Sequence, residues 1–301
     1  GREMLRTALA DVLGLVDAPA AREALSSATG AVLDAAVEVA WRSQAVLAPG
    51  GGERVTRFAV VGMGRLGGAE MGYGSDADVL FVHDPLHGAS ASAAQEQALV
   101  LAAEVTRLLM APGPEPALEV DARLRPEGRN GPLARSLGSC REYYRRWSEP
   151  WEAQALLRAV PVAGDLEVAR RFCSLVDPLR HPAGGADEAA LKEVQRVKAR
   201  VEGERLPRGI DPRRHLKLGP GGLADVEWTA QLLQLRHSGD VPSLRTPSTT
   251  GALLAAVEAD LLDERDARVL IDAWEGASRL RDALVLHSGR PTDVLPREAR
   301  D

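Results

Sequence analysis

The sequence predicts an α+β fold, a unit with a mixed sheet preceded by a helical segment and followed by a helical bundle. Three patterns carry this expectation. Apolar residues recur at helical spacing up to residue 47, as in Met4-Leu5-Ala8-Leu9-Val12-Leu13 and Val32-Leu33-Ala36-Val37-Val39-Ala40, and again almost without interruption from Asp165 onward. Between these regions lie two short apolar runs, Phe58-Ala59-Val60-Val61 and Val79-Leu80-Phe81-Val82, with the length of strands. Residues 117–125, ALEVDARLR, alternate Leu118, Val120, Ala122 and Leu124 with Glu119, Asp121, Arg123 and Arg125, which is the period of a further strand. The chain accordingly divides into a helical segment and linker at 1–52, a strand-bearing unit at 53–163 and a helical domain at 164–301.

Taken in order, the first helical pattern is broken by Pro49-Gly50-Gly51-Gly52. After the first apolar run, Gly62, Gly64 and Gly67 have the G-x-G-x-x-G spacing of a dinucleotide-binding turn, and Asp84 lies about 20 residues on, where a ribose-binding acid would stand. The connection argues against an oxidoreductase of that kind. A crossover between parallel strands takes a dozen or more residues, normally a helix. The stretch from Gly68 to Asp78 instead contains Gly68, Gly72 and Gly74 and no amphipathic repeat. Each glycine costs roughly 1 kcal/mol of helix propensity against alanine, so a tight loop is expected.

That loop ends in Gly74-Ser75-Asp76-Ala77-Asp78, at the mouth of the second apolar run. Residues i and i+2 of a strand project to one face, which places the carboxylates of Asp76 and Asp78 together. Two such charges about 5 Å apart repel by roughly 3 kcal/mol at an effective dielectric of 20, and a divalent metal removes that penalty. A plain solvated turn is the alternative, since Gly, Ser and Asp are ordinary turn residues. Asp121 supplies a third acid on a face shared with Arg123 and Arg125. If the two strands are neighbours, three carboxylates can hold two Mg²⁺ ions beside guanidinium groups suited to phosphates, a constellation for phosphoryl or nucleotidyl transfer.

A helix is expected from Ala94 to Met110. His83 and His87 have a zincin-like spacing, but Pro85 between them disfavours one helix, so a loop pair is expected and no metal site. Arg145, Arg146, Trp147 and Trp151 have the chemistry to stack on a base, yet with Tyr143 and Tyr144 they sit at helical spacing and read as an interface core. Lys217-Leu218-Gly219-Pro220-Gly221-Gly222, ahead of a helix from Leu223 to Arg236, reads either as a phosphate cradle or as an ordinary glycine turn. Asp225 and Glu227 there would favour the helix dipole.

Composition narrows the function classes. With 301 residues the chain has room for two domains. Its 37 Lys and Arg against 43 Asp and Glu give a net charge of −6, so no global basic field recruits nucleic acid. Cys140 and Cys173 provide no disulfide framework and fit a reducing cytoplasm. Apolar stretches fall far short of the roughly 18 residues that span a bilayer, so no membrane association is expected. The chain opens within a helical pattern at Gly1-Arg2 and ends uncapped at Arg300-Asp301, as expected of a fragment of a longer protein.

The order of strand, glycine-rich turn, Gly-Ser-Asp-x-Asp, helix and a strand bearing a third Asp resembles the DNA polymerase β-type nucleotidyltransferase superfamily. Within it, GMGRLGGAEMGYGSDADVLFVHD, VDARLRPEGRNGPL, WEAQALLRAVPVAGD and KLGPGGLADVEW are similar to the glutamine synthetase adenylyltransferases, over roughly residues 55–237. The resemblance implies a polymerase β-like nucleotidyltransferase domain and a Mg²⁺-dependent transfer of AMP from ATP to a tyrosine hydroxyl of glutamine synthetase. Glutamine and a PII signalling protein would be regulators. Asp76, Asp78 and Asp121 become the catalytic metal ligands, with Gly62, Gly64, Gly74, Ser75, Arg123, Arg125 and Lys217 around the nucleotide. Such enzymes carry two nucleotidyltransferase domains of opposite activity, and Gly72-Tyr73-Gly74-Ser75-Asp76 resembles the attaching one. The opposing phosphorolytic domain, a non-catalytic Mg-ATP sensor and a transferase acting on RNA are the other readings.

Overall fold

The computed structural model describes residues 1–47 and 53–297; the expected linker Pro49-Gly50-Gly51-Gly52 lies outside them. The two apolar runs form β1 (Thr56–Gly62) and β2 (Ala77–Pro85). They pair antiparallel along the whole of β1, from Thr56 opposite Pro85 to Gly62 opposite Val79. The glycine-rich stretch is therefore the loop of a hairpin, and the dinucleotide-binding reading fails because its parallel crossover is absent. Asp84, its candidate ribose ligand, is instead paired with Arg57 and Arg171.

The third strand is shorter than the alternation predicts. Only β3 (Val120–Asp121) pairs, parallel to β2, with Val120 opposite Ala77 and Asp121 opposite Asp78. The chain turns immediately afterwards because the Asp121 side chain accepts the Arg123 backbone N–H at 2.8 Å, a local bond that competes with strand pairing. A further strand, β4 (Ala134–Ser136), continues along the same edge of β2, and β5 (Val160–Gly164) runs antiparallel to β1 on the other side. The sheet is thus mixed, in the order β3-β2-β1-β5 with β4 beside β2.

The helices, in chain order, are α1 (Arg2–Val12), α2 (Ala18–Leu47), the single turn α3 (Gly64–Gly67) and α4 (Ala91–Met110). Then come α5 (Leu137–Arg146), α6 (Pro150–Leu156), α7 (Leu166–Arg180), α8 (Glu188–Arg205), α9 (Leu223–His237), α10 (Thr249–Glu258) and α11 (Glu264–Ser288). Helix α4 starts a turn earlier than expected, where the Ser90 hydroxyl caps it by accepting the Ala93 N–H.

Both faces of the sheet are covered, which explains why its central strands are apolar runs and not alternating ones. Phe58, Val60, Val79 and Phe81 pack against Leu33 and Val37 of α2 and Leu101 and Val105 of α4. Ala59, Val61, Leu80 and Val82 pack against Leu137 and Tyr144 of α5, Leu156 of α6 and Phe172 and Val176 of α7. A third cluster, with Trp274 buried among Leu223, Val226 and Leu253, ties α9, α10 and α11 together. Among the described residues no helix is long and apolar enough to cross a membrane.

The aromatic stretch differs from expectation. Tyr144 is buried in the core, but Trp147 is 69% exposed, and Arg145 and Arg146 pair on the surface with Glu142. The helix is amphipathic with its core stripe through Leu137, Cys140 and Tyr144, so the neighbouring residues face solvent. His83 and His87 form no pair: buried His83 bonds Thr56 Oγ1 and Gln95 Oε1, each at 3.0 Å, while His87 is exposed.

Candidate active site

The site begins with the pairing of β2 and β3. Their parallel register sets Asp121 beside Asp78, and Asp76 precedes Asp78 by one strand period. One carboxylate oxygen from each of Asp76, Asp78 and Asp121 lies within 4.8 Å of the other two. The three acids are thus brought together from residues 45 positions apart, as the spacing argument requires. The arrangement leaves a mark on the electrostatics. Burial, reinforced by the charges of Asp76 and Asp121, pushes the Asp78 carboxyl up to about 7, against the opposing influence of Lys217 and Arg123. Burial also acts upward on Asp121, but its hydrogen bonds from the Arg123 side chain and backbone prevail and hold its carboxyl below the ordinary value.

The loop between β1 and β2 is shaped around Asp78. The Met63 N–H donates to the Asp78 carbonyl at 2.9 Å, and Gly64 follows with φ +51°. A Cβ on Gly64 would lie 2.1 Å from Asp78 Oδ2, so a side chain there would displace the carboxylate. Gly67 answers to a different neighbour: a Cβ there would sit 1.8 Å from the Arg158 carbonyl oxygen. The glycine spacing that mimics a dinucleotide fingerprint therefore arises from close packing against a carboxylate on one side and a backbone on the other.

The remaining candidates fall into two groups. Gly64 and Arg123 meet the acids directly, and Lys217 is within electrostatic reach of Asp78. The Arg123 Nε donates to Asp121 Oδ2 at 2.6 Å. Lys217 is exposed and close enough for its charge to act on both Asp78 and Glu227, which places the Lys217-Leu218-Gly219-Pro220-Gly221-Gly222 turn at the site. The others stand further back. Gly62 ends β1, where a Cβ would meet Val162. Gly74 packs against Val285 and Pro291, and the Ser75 hydroxyl accepts the Gly72 N–H at 2.9 Å. The Arg125 guanidinium is spent on the carbonyls of Ala122, Arg129 and Gly131, so it braces the loop after β3 and points no donor at the carboxylates.

Around this centre lies a set of charges that local pattern does not reveal. Buried Arg158 donates to Glu70 and to the Thr249 hydroxyl, and the Glu70 carboxylate also accepts the Thr249 N–H. Arg65 of α3 pairs with Glu227 of α9 at 3.4 Å. Burial acts upward on Glu227, but Arg65, Arg158 and Lys217 outweigh it and hold the carboxyl low. Asp225 receives Lys198 and the Gly221 N–H, so it fastens the Lys217 turn rather than serving only the helix dipole. Arg158 lies in the string WEAQALLRAVPVAGD and Glu227 in KLGPGGLADVEW; those strings were the available signal.

Residues 1–174 match the model of glutamate-ammonia ligase adenylyltransferase, and residues 190–301 match that of the GlnD PII-uridylyltransferase. The chain is 52% identical over 299 residues to the bifunctional glutamine synthetase adenylyltransferase/adenylyl-removing enzyme of Mycolicibacterium smegmatis, covering 99% of this chain and 30% of that protein. Similar relatives bear the same name in Mycobacterium leprae, at 50% identity over 299 residues with the same coverage, and in Streptomyces coelicolor, at 49% over 317 residues, covering 100% of this chain and 31% of that one. The chain therefore spans about 30% of the length of such relatives. With more than half of its length matched by the first model and nearly all of it by these relatives, the chain belongs to the glutamate-ammonia ligase adenylyltransferase family.

Proposed function

We propose that this chain transfers AMP from ATP to a tyrosine hydroxyl of glutamine synthetase and releases pyrophosphate. The observation that carries the reading is the convergence of Asp76, Asp78 and Asp121 within 4.8 Å, in a chain whose relatives are named glutamine synthetase adenylyltransferase/adenylyl-removing enzymes. Three carboxylates are an all-oxygen donor set of the kind hard divalent cations take, and the Asp78 carboxyl is raised by burial first and by the charges of Asp76 and Asp121 second, the part that a cation relieves. Mg²⁺ ions held by these three residues would neutralise charge on the transferring phosphoryl group and lower the pKa of the attacking hydroxyl.

The chain's own groups supply position and charge. Gly64, lacking a Cβ, leaves the Asp78 carboxylate undisplaced, and Lys217 offers a cation to the phosphate oxygens. Arg123 exchanges Asp121 for a phosphate oxygen as the nucleotide enters, since guanidinium matches both anions. The phenol oxygen attacks the α-phosphorus, the bond from that phosphorus to the bridging oxygen breaks, and pyrophosphate leaves with the bond's electron pair. The phenolic proton passes to a freed carboxylate oxygen of Asp121. Gly62, Gly74, Ser75 and Arg125 support this centre from the surrounding loops. Glutamine and a PII signalling protein are the regulators in this reading, the reaction takes place in the cytoplasm, and neither nucleic acid nor membrane takes part.

The test is incubation of the chain with α-labelled ATP, Mg²⁺ and glutamine synthetase, followed by mapping of the label. Label on one tyrosine is expected, and Asp76→Asn, Asp78→Asn and Asp121→Asn should each abolish it with the fold intact. ATP binding without any transfer would leave only a nucleotide sensor and overturn the proposal.

A further inference from the structure

Next to the carboxylates is a cavity of about 590 Å³ that the transfer chemistry above does not use. It opens between α6, α8 and α9, and Gly64 forms part of its wall, along with Trp151, Gln154, Trp228 and Gln231. Gly64 also borders the carboxylates, since a Cβ on it would lie 2.1 Å from Asp78 Oδ2. A molecule whose phosphates lie at the carboxylates can thus continue past Gly64 and into this cavity. The volume lies within the range of small-molecule sites and exceeds what a phenol ring needs.

We propose that this cavity is the adenine pocket, and that Gln154 and Gln231 are the residues that read the base. The inference rests on the nucleotidyl-transfer reading and adds to it the source of base selectivity. Two partly buried indoles, Trp151 and Trp228, give flat apolar surface on which a heterocycle stacks. The amides supply the code. Gln154 Nε2 donates to Gln231 Oε1 at 2.7 Å, which leaves the Gln154 carbonyl oxygen as an acceptor and the Gln231 amino group as a donor. If both amides are turned over, the pair still shows one free carbonyl and one free amino group. Adenine offers an amino donor beside a ring-nitrogen acceptor on one edge, whereas the same edge of guanine offers two acceptors. The amide pair therefore satisfies adenine with two bonds and leaves its own carbonyl unpaired against that edge of guanine.

The sequence singled out Trp151 as a base-stacking candidate and set it aside as interface core; the cavity restores that role to Trp151 and withholds it from Trp147, which is largely exposed. Gln154 is 5% exposed, a buried amide whose hydrogen bond to Gln231 holds its orientation before any ligand arrives.

The experiment is a titration of the full chain, followed by its tryptophan fluorescence, with the Mg²⁺ complexes of ATP, GTP and inorganic tripolyphosphate. ATP should quench the fluorescence and bind on the order of tenfold more tightly than either of the others, the size of one bidentate base contact. Gln231→Leu and Gln154→Leu should erase the preference for ATP over GTP and leave tripolyphosphate affinity unchanged, which also reports that the variants are folded. Should buried Gln154→Leu fail to fold, partly exposed Gln231→Leu carries the test. Equal affinity for all three ligands, lost in Asp78→Asn, overturns the pocket and spares the transfer reading. So does an ATP preference that survives both glutamine substitutions, which would assign the cavity to the acceptor. A wild-type chain that binds none of the three overturns both.

Discussion

Gly64 and Asp78 constrain each other: the loop backbone comes so close to the carboxylate that a Cβ on Gly64 would lie 2.1 Å from Asp78 Oδ2. The Asp76 and Asp78 spacing gave a shared face, and the alternation around Asp121 supplied the third acid even though only two residues of that strand pair. The Gly64 contact with Asp78 was not legible, because a glycine in a motif does not say which neighbour forbids its Cβ. Gly64→Ala combines a left-handed backbone at φ +51° with a Cβ 2.1 Å from a carboxylate oxygen, so a stability loss of roughly 1–2 kcal/mol is expected in urea denaturation. If the three carboxylates hold Mg²⁺ as proposed, the ion should raise the melting temperature of the wild type, and Gly64→Ala should lose that rise. Asp78 itself carries a pH signature. Its carboxyl at about 7 lies above the unfolded value, so the native state holds the proton more tightly than the unfolded state across the interval between them. Without metal, this contribution to stability is full in acid and is lost as pH rises through about 7. In chelator, Asp78→Asn should therefore melt above the wild type at pH ~8, with the gap closing toward pH ~5. A constant gap across that range would show that Asp78 ionises normally.

At the level of elements, strands and helices were legible wherever periodicity ran long, and boundaries moved where side chains intervened. Ser90 drew the start of α4 back by a turn, and Asp121 cut β3 to two residues by capturing the Arg123 N–H. Contacts between distant elements were beyond periodicity. Glu70 and Arg158 are 88 residues apart, and Thr249 stands 179 residues from Glu70, yet the three form one buried cluster joining the β1–β2 loop, the turn before β5 and the start of α10. Both charged side chains are 6% exposed. Arg158→Met would leave the Glu70 carboxylate buried with only Thr249 as partner, and about 3–5 kcal/mol of stability should be lost. Adding Glu70→Met to that variant should recover most of the loss, since a buried ion pair replaced entirely by apolar groups is often neutral. Chemical denaturation of the two single variants and the double variant measures the recovery. A double variant as unstable as Arg158→Met alone would mean that packing, not an uncompensated charge, sets the penalty.

For the whole molecule, the open matter is the direction of transfer. The relatives' name joins attachment and removal of the adenylyl group in a protein of which this chain is about 30%. Among the described residues three acids meet at one place. The carboxylates alone do not choose the direction: in attachment a phenol oxygen displaces pyrophosphate from the α-phosphorus, whereas in removal a phosphate oxygen displaces the phenol and yields ADP. What selects is which oxygen the surrounding loops admit opposite the leaving group. The Gly72-Tyr73-Gly74-Ser75-Asp76 turn resembles the attaching domain, and its Tyr73 is anchored away from the centre, donating its hydroxyl hydrogen to Asp11 at 2.8 Å. The expected result is therefore transfer of AMP from ATP to glutamine synthetase with release of pyrophosphate. Adenylylated glutamine synthetase given phosphate should release no ADP. Both reactions can be run on one preparation of the chain with label in the α-phosphate. ADP formed from adenylylated glutamine synthetase, with no forward labelling, would assign the chain to the removing half, with the same carboxylates admitting phosphate where a phenol is expected.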